Sequence, residues 1–397
     1  FEYRNIRIGD LIYDQYLRAA KKPTLDFSDE IFVMKFAEAL CYVDALLLYF
    51  EKHDVRAVCV SHTVYLLAIP VRVAIAHHVP AFQVNGESIY RLSIENTHAF
   101  TDFKYYHKKY TELEENIKSF GLQEAEHRLK RRFEGEVGVD MPYSKASAYR
   151  IEKNPNFKLK RVGKIAILVA IHDFFDSPHS YGDNLFPDFM EWLDFLSRIA
   201  KETDYDWYIK THPDVVGDGE EILRRFVSEN ARFSIVPKEI SHHQLLSEGV
   251  SVVLTIFGTI SGEYAYLGKL AINASVNNPH IAYRFCLHPV SIKQYGEYIK
   301  DIPLLIQSFV PIKDEILEFY YMHHIHKLKT WMFNDLSKAV AELGGYGKMI
   351  DWGIFRYYFA SSNSLENSDI QKAIKTFLNS QDYVLGREHF QNSQLIS

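Results

Sequence analysis

Between residues 164 and 274 strand-like and helix-like stretches alternate with short connections, and no other feature constrains the fold as much. "KIAILVAI" (164–171) is a continuous apolar run rich in branched residues, as expected of a strand buried on both faces. "LFPDFMEWLDFLSRIAKET" (185–203) repeats apolar residues at helical spacing, and "DWYIKT" (206–211) reads as a second strand. "GEEILRRFVSENA" (219–231) follows as helix, "FSIVP" (233–237) as strand and "SHHQLLSEG" (241–249) as a short helix capped by Ser241. "VSVVLTIF" (250–257), "TISGEYAYLG" (259–268) and "KLAINA" (269–274) supply strand, helix and strand. This alternation predicts a doubly wound parallel sheet, which binds ligands beyond the carboxyl ends of its strands.

Upstream, "AVCVSH" (57–62), "TVYLLAIPVRVAIAHH" (63–78) and "AFQV" (81–84) form one more strand–helix–strand unit. A chain of 397 residues is long enough for two cores. The expected organisation is a first lobe over 1–155, incomplete, a second, nucleotide-binding lobe over 156–310, and a helical segment over 311–397. The basic, proline-containing "EKNPNFKLKRVGK" (152–164) is the expected linker. The charged "TELEENIKSFGLQEAEHRLKRRFEGE" (111–136) and the "HHIHK" cluster (323–327) are expected to be solvated helix faces. Two α/β lobes with a cleft between them suggest a GT-B-like architecture, an analogy of fold that does not fix chemistry.

Several classes are disfavoured. A formal net charge of −6 lacks the basic excess of a general nucleic-acid binder. Cys41, Cys59 and Cys286 are too dispersed for a disulfide framework or a metal set, which points to a reducing cytoplasm. The apolar run "VDALLLYF" (43–50) falls short of the roughly 18 residues of a spanning helix. No secretory leader opens the chain; it begins at Phe1, and the expectation is a piece of a longer polypeptide.

Three stretches of the second lobe carry the candidate chemistry. In "YIKTHPD" (208–214), His212 follows a strand and Pro213 stiffens the turn, which suits an imidazole offsetting phosphate charge. In "FGTISGEYAYLGK" (257–269), Gly258 allows close backbone approach, while Thr259 or Ser261 starts a helix whose amides suit an anion. Gly262 continues that turn, and Glu263 is placed either for ribose hydroxyls or simply to complement the helix dipole. The long loop "AIHDFFDSPHSYGDN" (170–184) offers His172 and Asp173 near a phosphate or an acceptor sugar. In the first lobe Asp10 and His62 are candidates for a base or nucleophile, with helix capping and a structural imidazole as equal alternatives. Arg7 and Arg18 suit an anionic sugar. No spacing matches a standard metal-ligand set.

"IGDLIYDQYLR", "HDFFDSPHSYG", "DWYIKTHPD" and "GTISGEYAYLGKLAINA…NNPH" resemble bacterial surface-carbohydrate and capsule-polysaccharide biosynthesis proteins, over most of residues 1–290. More distantly, the His-Pro pair resembles that of polysialyltransferases, capsular Kdo transferases and teichoic-acid glycerophosphotransferases. The resemblance implies a GT-B glycosyltransferase that needs no metal or other cofactor and uses a cytidine-linked donor such as CMP-Kdo. It implies donor-phosphate contacts from His212 and from Ser261 with its helix start, and a ribose contact from Glu263. The paired-acid-then-glycine motif of the polysialyltransferase base has no copy here; "FEGE" (133–136) comes nearest. The implied partners are a nucleotide sugar and a glycan or glycolipid acceptor, at the inner face of the cytoplasmic membrane. A teichoic-acid-type polyol-phosphate transferase, a nucleotide-sugar epimerase and a non-catalytic glycan-binding subunit are the competing readings.

Overall fold

The computed structural model describes residues 1–140, 146–163, 165–211, 219–333, 336–345, 348, 353–361 and 364–390. The chain opens with a hairpin, β1 (Glu2–Tyr3) and β2 (Ile6–Arg7), followed by α1 (Gly9–Ala20) and the long α2 (Glu30–Lys52). Strand β3 (Val58–Val60), α3 (Ile69–Ala76) and β4 (Ala81–Val84) make the expected parallel unit. Strand β5 (Ile89–Leu92), which periodicity does not announce, adds antiparallel to β4. Helices α4 (Tyr106–Thr111) and α5 (Glu115–Phe133) lead to the second lobe.

The second lobe runs β6 (Ile165–Ile171), α6 (Phe189–Glu202), β7 (Tyr205–Thr211), α7 (Gly219–Glu229), β8 (Phe233–Ile235), α8 (His242–Ser247), β9 (Val250–Thr255), α9 (Ile260–Tyr266) and β10 (Leu270–Asn273). All its strands are parallel, in the order β10-β9-β6-β7-β8. Alternate residues of β6 feed different cores. Ile167, Val169 and Ile171 pack with Trp192 and Leu196 of α6, whereas Ala166 and Leu168 pack with Leu245 of α8 and Tyr264 of α9. Apolar side chains on both sides leave no polar alternation along the strand, hence the unbroken run in the sequence. The caps also follow chemistry: Asp188 accepts from the Glu191 amide and Ser241 from the Gln244 amide. The fold is α/β, Rossmann-like and two-lobed.

After β10 the chain is helical: α10 (Ile292–Lys300), α11 (Ile302–Ser308), α12 (Lys313–Tyr320), a π-helical turn (Tyr321–His326), α13 (Leu336–Leu343), α14 (Gly353–Ser361) and α15 (Ser364–Asn379). Its end returns to the first lobe. The Leu385 amide donates to Ile89 O (2.9 Å) and the Arg91 amide to Tyr383 O (2.8 Å), so residues 383–385 extend the sheet beyond β5. Phe377 of α15 packs on Phe82 of β4.

Two surface expectations are corrected. Helix α5 is amphipathic rather than solvated: Ala125 and Leu129 enter the core beneath the second sheet, beside Leu317 of α12. The "HHIHK" residues lie in the π-helical turn and its C-cap, Lys327, and are half-buried. His323 stacks on Phe319 (5.1 Å between rings), and burial pushes His323 and His326 down to about 4. The expected linker is stapled to the second lobe, with Leu159 in its core and Arg161 Nε on Asp206 (2.8 Å).

No helix of the described residues is long and apolar enough to cross a membrane.

Candidate functional site

The strand order fixes where the crevice lies. From β6 the chain winds outward through β7 and β8, then returns to the other side of β6 for β9 and β10. The connections leaving β6 and β9 therefore diverge, and a depression opens at the carboxyl ends of the strands. A cavity of about 320 Å³ occupies this position. Its floor is the last residues of β6 (Ala170, Ile171), β7 (Lys210, Thr211) and β9 (Thr255). One wall is the turn from Phe257 to Ile260, and the facing wall comes from Arg132 of α5 with residues 146–148.

Each lining group is held by its element. Gly258 lies so close to the end of β9 that a Cβ there would meet Thr255 Oγ1 at 2.8 Å and His172 Nε2 at 3.5 Å. His172 packs against Phe257 (ring centroids 4.4 Å) and Phe189 (5.4 Å), with Nε2 3.5 Å from Thr255 Oγ1. Thr259 makes no side-chain cap to α9, which leaves its hydroxyl to the cavity it lines. His242 is buried, hydrogen-bonded through Nδ1 to the Tyr264 hydroxyl (2.9 Å), and burial holds its pKa well below the usual imidazole range. It is therefore neutral.

Among the described residues two cations, Arg132 and Lys210, face this space and differ sharply. Arg132 pairs with Glu263, Nη2 to Oε1 at 2.7 Å, and the Tyr149 hydroxyl donates to the other carboxylate oxygen at 2.5 Å. Burial works against the guanidinium charge, but Glu263 and Tyr149 outweigh it and raise the Arg132 pKa. Lys210 is 5 % exposed and, among the described residues, donates to the carbonyls of Lys238 (3.0 Å) and Pro237 (3.3 Å) rather than to a carboxylate. Burial brings it down to about 8. A lysine so desolvated gains from any anion that enters the cavity.

Of the residues singled out in the sequence, His172, Gly258, Thr259 and Glu263 line this one cavity. Glu263 arrives already bound to Arg132 and Tyr149. Ser261 and Gly262 belong to the same turn but face the core. The Ser261 hydroxyl donates to Asn273 (2.6 Å), and Gly262 abuts Phe285 and His280. The Ser261 hydroxyl is thus engaged within the core, while the start of its helix, at Thr259 and Ile260, lines the cavity. Asp173 accepts from the Phe175 amide (2.9 Å) in a local turn. His212 and Pro213 lie outside the described residues; the residue before them, Thr211, lines the cavity.

The first-lobe candidates lie elsewhere. Asp10, in the first turn of α1, is buried against Arg72 (2.7 Å) and His98 (3.6 Å). Burial raises its pKa, but His98 and Arg72 outweigh burial and hold the carboxylate well below its usual range. His62 is exposed, with Nδ1 3.0 Å from Ser61 Oγ. Neither lines the crevice.

The loop after β6 joins the lobes. His179 Nδ1 meets Asp14 of α1 at 2.6 Å, Tyr65 donates to Asp176 at 2.8 Å, Tyr13 donates to Asp188 at 2.5 Å, and Arg7 pairs with Asp183. Asp14 is fully buried, and burial, opposed by His179, pushes it up to about 6.

Lys210, Arg132, Tyr149 and His242 were missed from sequence. Lys210 alone had a signal: it is a lysine inside a run that reads as a buried strand. Arg132 and His242 reach the crevice, and Tyr149 reaches the Glu263 carboxylate on its wall, through non-local packing.

No family model matches the chain, and no curated protein matches it. Among solved structures, KpsC of Thermosulfurimonas dismutans, titled a beta Kdo 2,4 transferase, superposes at a TM-score of 0.36 and 14% identity. That match covers 66% of this chain and 78% of that one. A beta Kdo 2,7 transferase structure of KpsC from the same organism gives 0.36 and 12%, covering 65% and 73%. A putative UDP-N-acetylglucosamine 2-epimerase from Listeria monocytogenes gives 0.28 and 10%, covering 90% and 83%. Such scores describe partial overlap, so the site is read from its own geometry.

Proposed function

We propose that the chain is a glycosyltransferase that binds a nucleotide sugar, cytidine-linked, in the crevice at the carboxyl ends of β6, β7 and β9. The sugar would go to a surface-glycan acceptor entering from the first lobe. The observation that carries this reading is Lys210: a buried ammonium that, among the described residues, bonds backbone carbonyls and no carboxylate, at the floor of a cavity placed where doubly wound sheets bind ligands. The Thr211, Thr255 and Thr259 hydroxyls supply further donors beside it. Neutral His242 and the Phe257 ring offer surfaces for a base or a sugar. His212, next in sequence after Thr211, is the proposed partner of the leaving phosphate.

In this mechanism Lys210 and His212 hold the phosphate and take up the negative charge that develops as the glycosidic bond breaks. Glu263 stays on Arg132 and Tyr149 and orients the wall against the ribose. The test is a thermal-shift and calorimetric series with CMP, CDP, UDP, GDP and the matching nucleosides. CMP should raise the melting temperature while cytidine does not, because ligand binding to the native state stabilises it. If Lys210→Met binds CMP as tightly as the parent, the phosphate lies elsewhere and the reading fails. Release of free nucleotide from the sugar donor separates this activity from a non-catalytic glycan-binding role.

A further inference from the structure

Helix α2 is apolar on more sides than its own lobe covers. Phe32, Phe36, Leu40 and Val43 face the first-lobe core. On the outside Val33 is 57% exposed, Met34 55%, Leu48 50% and Tyr49 53%. Single exposed apolar residues are ordinary, but a continuous second apolar face on one helix marks a surface that something covers.

The order of residues along this face identifies the occupant. Successive positions are Glu30, Met34, Ala37, Cys41, Ala45, Leu48 and Lys52, all along one stripe at helical spacing. The steps are 4, 3, 4, 4, 3 and 4 residues, the same read in either direction. Laid antiparallel on a copy of itself, the helix opposes Met34 to Leu48, Ala37 to Ala45, Cys41 to Cys41 and Glu30 to Lys52. Small residues thus meet at the centre, where two helices must approach to about 8–10 Å. The large ones interlock on either side, and opposite charges close both ends. Neither Glu30 nor Lys52 makes an ion pair among the described residues, so both are available. Glu38 and Asp44 would face each other at the margin, but each is already neutralised, by Lys35 (2.7 Å) and Arg4 (2.7 Å).

We propose that the protein self-associates through α2, in a two-fold antiparallel pair with Cys41 on the axis. The contact runs about 34 Å, the length of a 23-residue helix. A single helix pair buries less than a standard interface, so the dimer dissociates in the micromolar range. The arrangement is isologous and closes at two copies.

Sedimentation velocity of the full chain from about 5 to about 200 μM should show a concentration-dependent dimer. Leu48→Glu or Met34→Glu, both at half-exposed positions, should raise the dissociation constant at least tenfold with an unchanged melting temperature. Lys52→Glu should weaken the dimer, and adding Glu30→Lys should restore it. With Cys59→Ser removing the other exposed thiol, a short bismaleimide should give a cross-linked dimer that disappears on adding Cys41→Ser. A monomer throughout this range overturns the proposal. So does a dimer that neither glutamate substitution disturbs, or a monomer that sediments with phosphatidylglycerol vesicles through the same residues.

Discussion

Arg132, at the end of α5, grips Glu263 of α9 across the wall of the crevice, with Nε and Nη2 at 2.8 and 2.7 Å from the same carboxylate oxygen. The contact ties a helix that precedes β6 to the turn that follows β9, and it removes the Arg132 cation from service to a ligand. Both side chains are about one-eighth exposed.

Cutting this pair on one side should therefore be costly. Arg132→Met leaves a buried carboxylate with only the Tyr149 hydroxyl, and should cost roughly 3–5 kcal/mol of stability in urea unfolding. Arg132→Met combined with Glu263→Met should cost clearly less. An equal loss in the single and double variants would show that the pair contributes only packing.

Lys210 should behave in the opposite way. Its removal deletes a desolvated charge, so Lys210→Met should keep or raise the melting temperature. The affinity for CMP should fall roughly tenfold or more, as expected on losing a hydrogen bond to a charged group. The pH dependence follows from the lowered pKa. Between about 8 and the ordinary 10.5 the unfolded chain holds a proton that the folded chain has released, so this lysine's contribution to stability rises with pH. CMP affinity should instead decline as pH climbs past 8 and the ammonium is lost. Titration calorimetry at several pH values checks both.

The contact between the lobes has its own pH window. Asp14 is raised to about 6, so between its ordinary 3.8 and 6 the folded protein retains a proton that the unfolded chain has lost. Stability falls as pH rises through that window. His179 is lowered by burial but raised more by Asp14, and its contribution is lost as pH climbs through that raised value. Both slopes have the same sign. Of the neighbouring acids, Asp10 and Asp183 are held below their ordinary values and stay ionised here. Asp14→Asn should gain on the parent in melting temperature as pH increases from about 5 to about 8. A parent that becomes relatively more stable over that range would contradict this account.

Metal dependence is a further test. Asp204 and Asp206, spaced as a metal-binding pair would be, sit at the amino end of β7, where Asp206 binds the Val162 and Gly163 amides and Arg161. The crevice is at the other end of the strand. With Lys210 and His212 as the proposed phosphate partners, glycosyl transfer should survive exhaustive EDTA treatment. A loss restored by Mg²⁺ or Mn²⁺ would move the phosphate away from Lys210.

The second sheet was legible because its strands other than the edge strand β8 are buried on both faces and flanked by amphipathic helices, so local periodicity sufficed. The crevice followed from the strand alternation. Its chemistry followed only in part, because Arg132 and Glu263 stand 131 residues apart and no local pattern links them. The same holds for β5, whose outer partner is residues 383–385. Asp10 was visible as a carboxylate at a helix start, but its burial against Arg72 depends on a helix 62 residues away.

The return of residues 383–385 to β5 gives the two lobes different histories during synthesis. All five strands of the second sheet have left the ribosome once Asn273 has emerged, whereas the first sheet lacks its outer rung until residues 383–385 follow, more than a hundred residues later. Domains fold as their sequence becomes available. The later half of the molecule is thus set to become native first, while β5 waits with an open edge able to pair with the wrong chain. Nascent-chain truncations ending near residue 330 should accordingly show a protease-resistant second lobe and a labile first one.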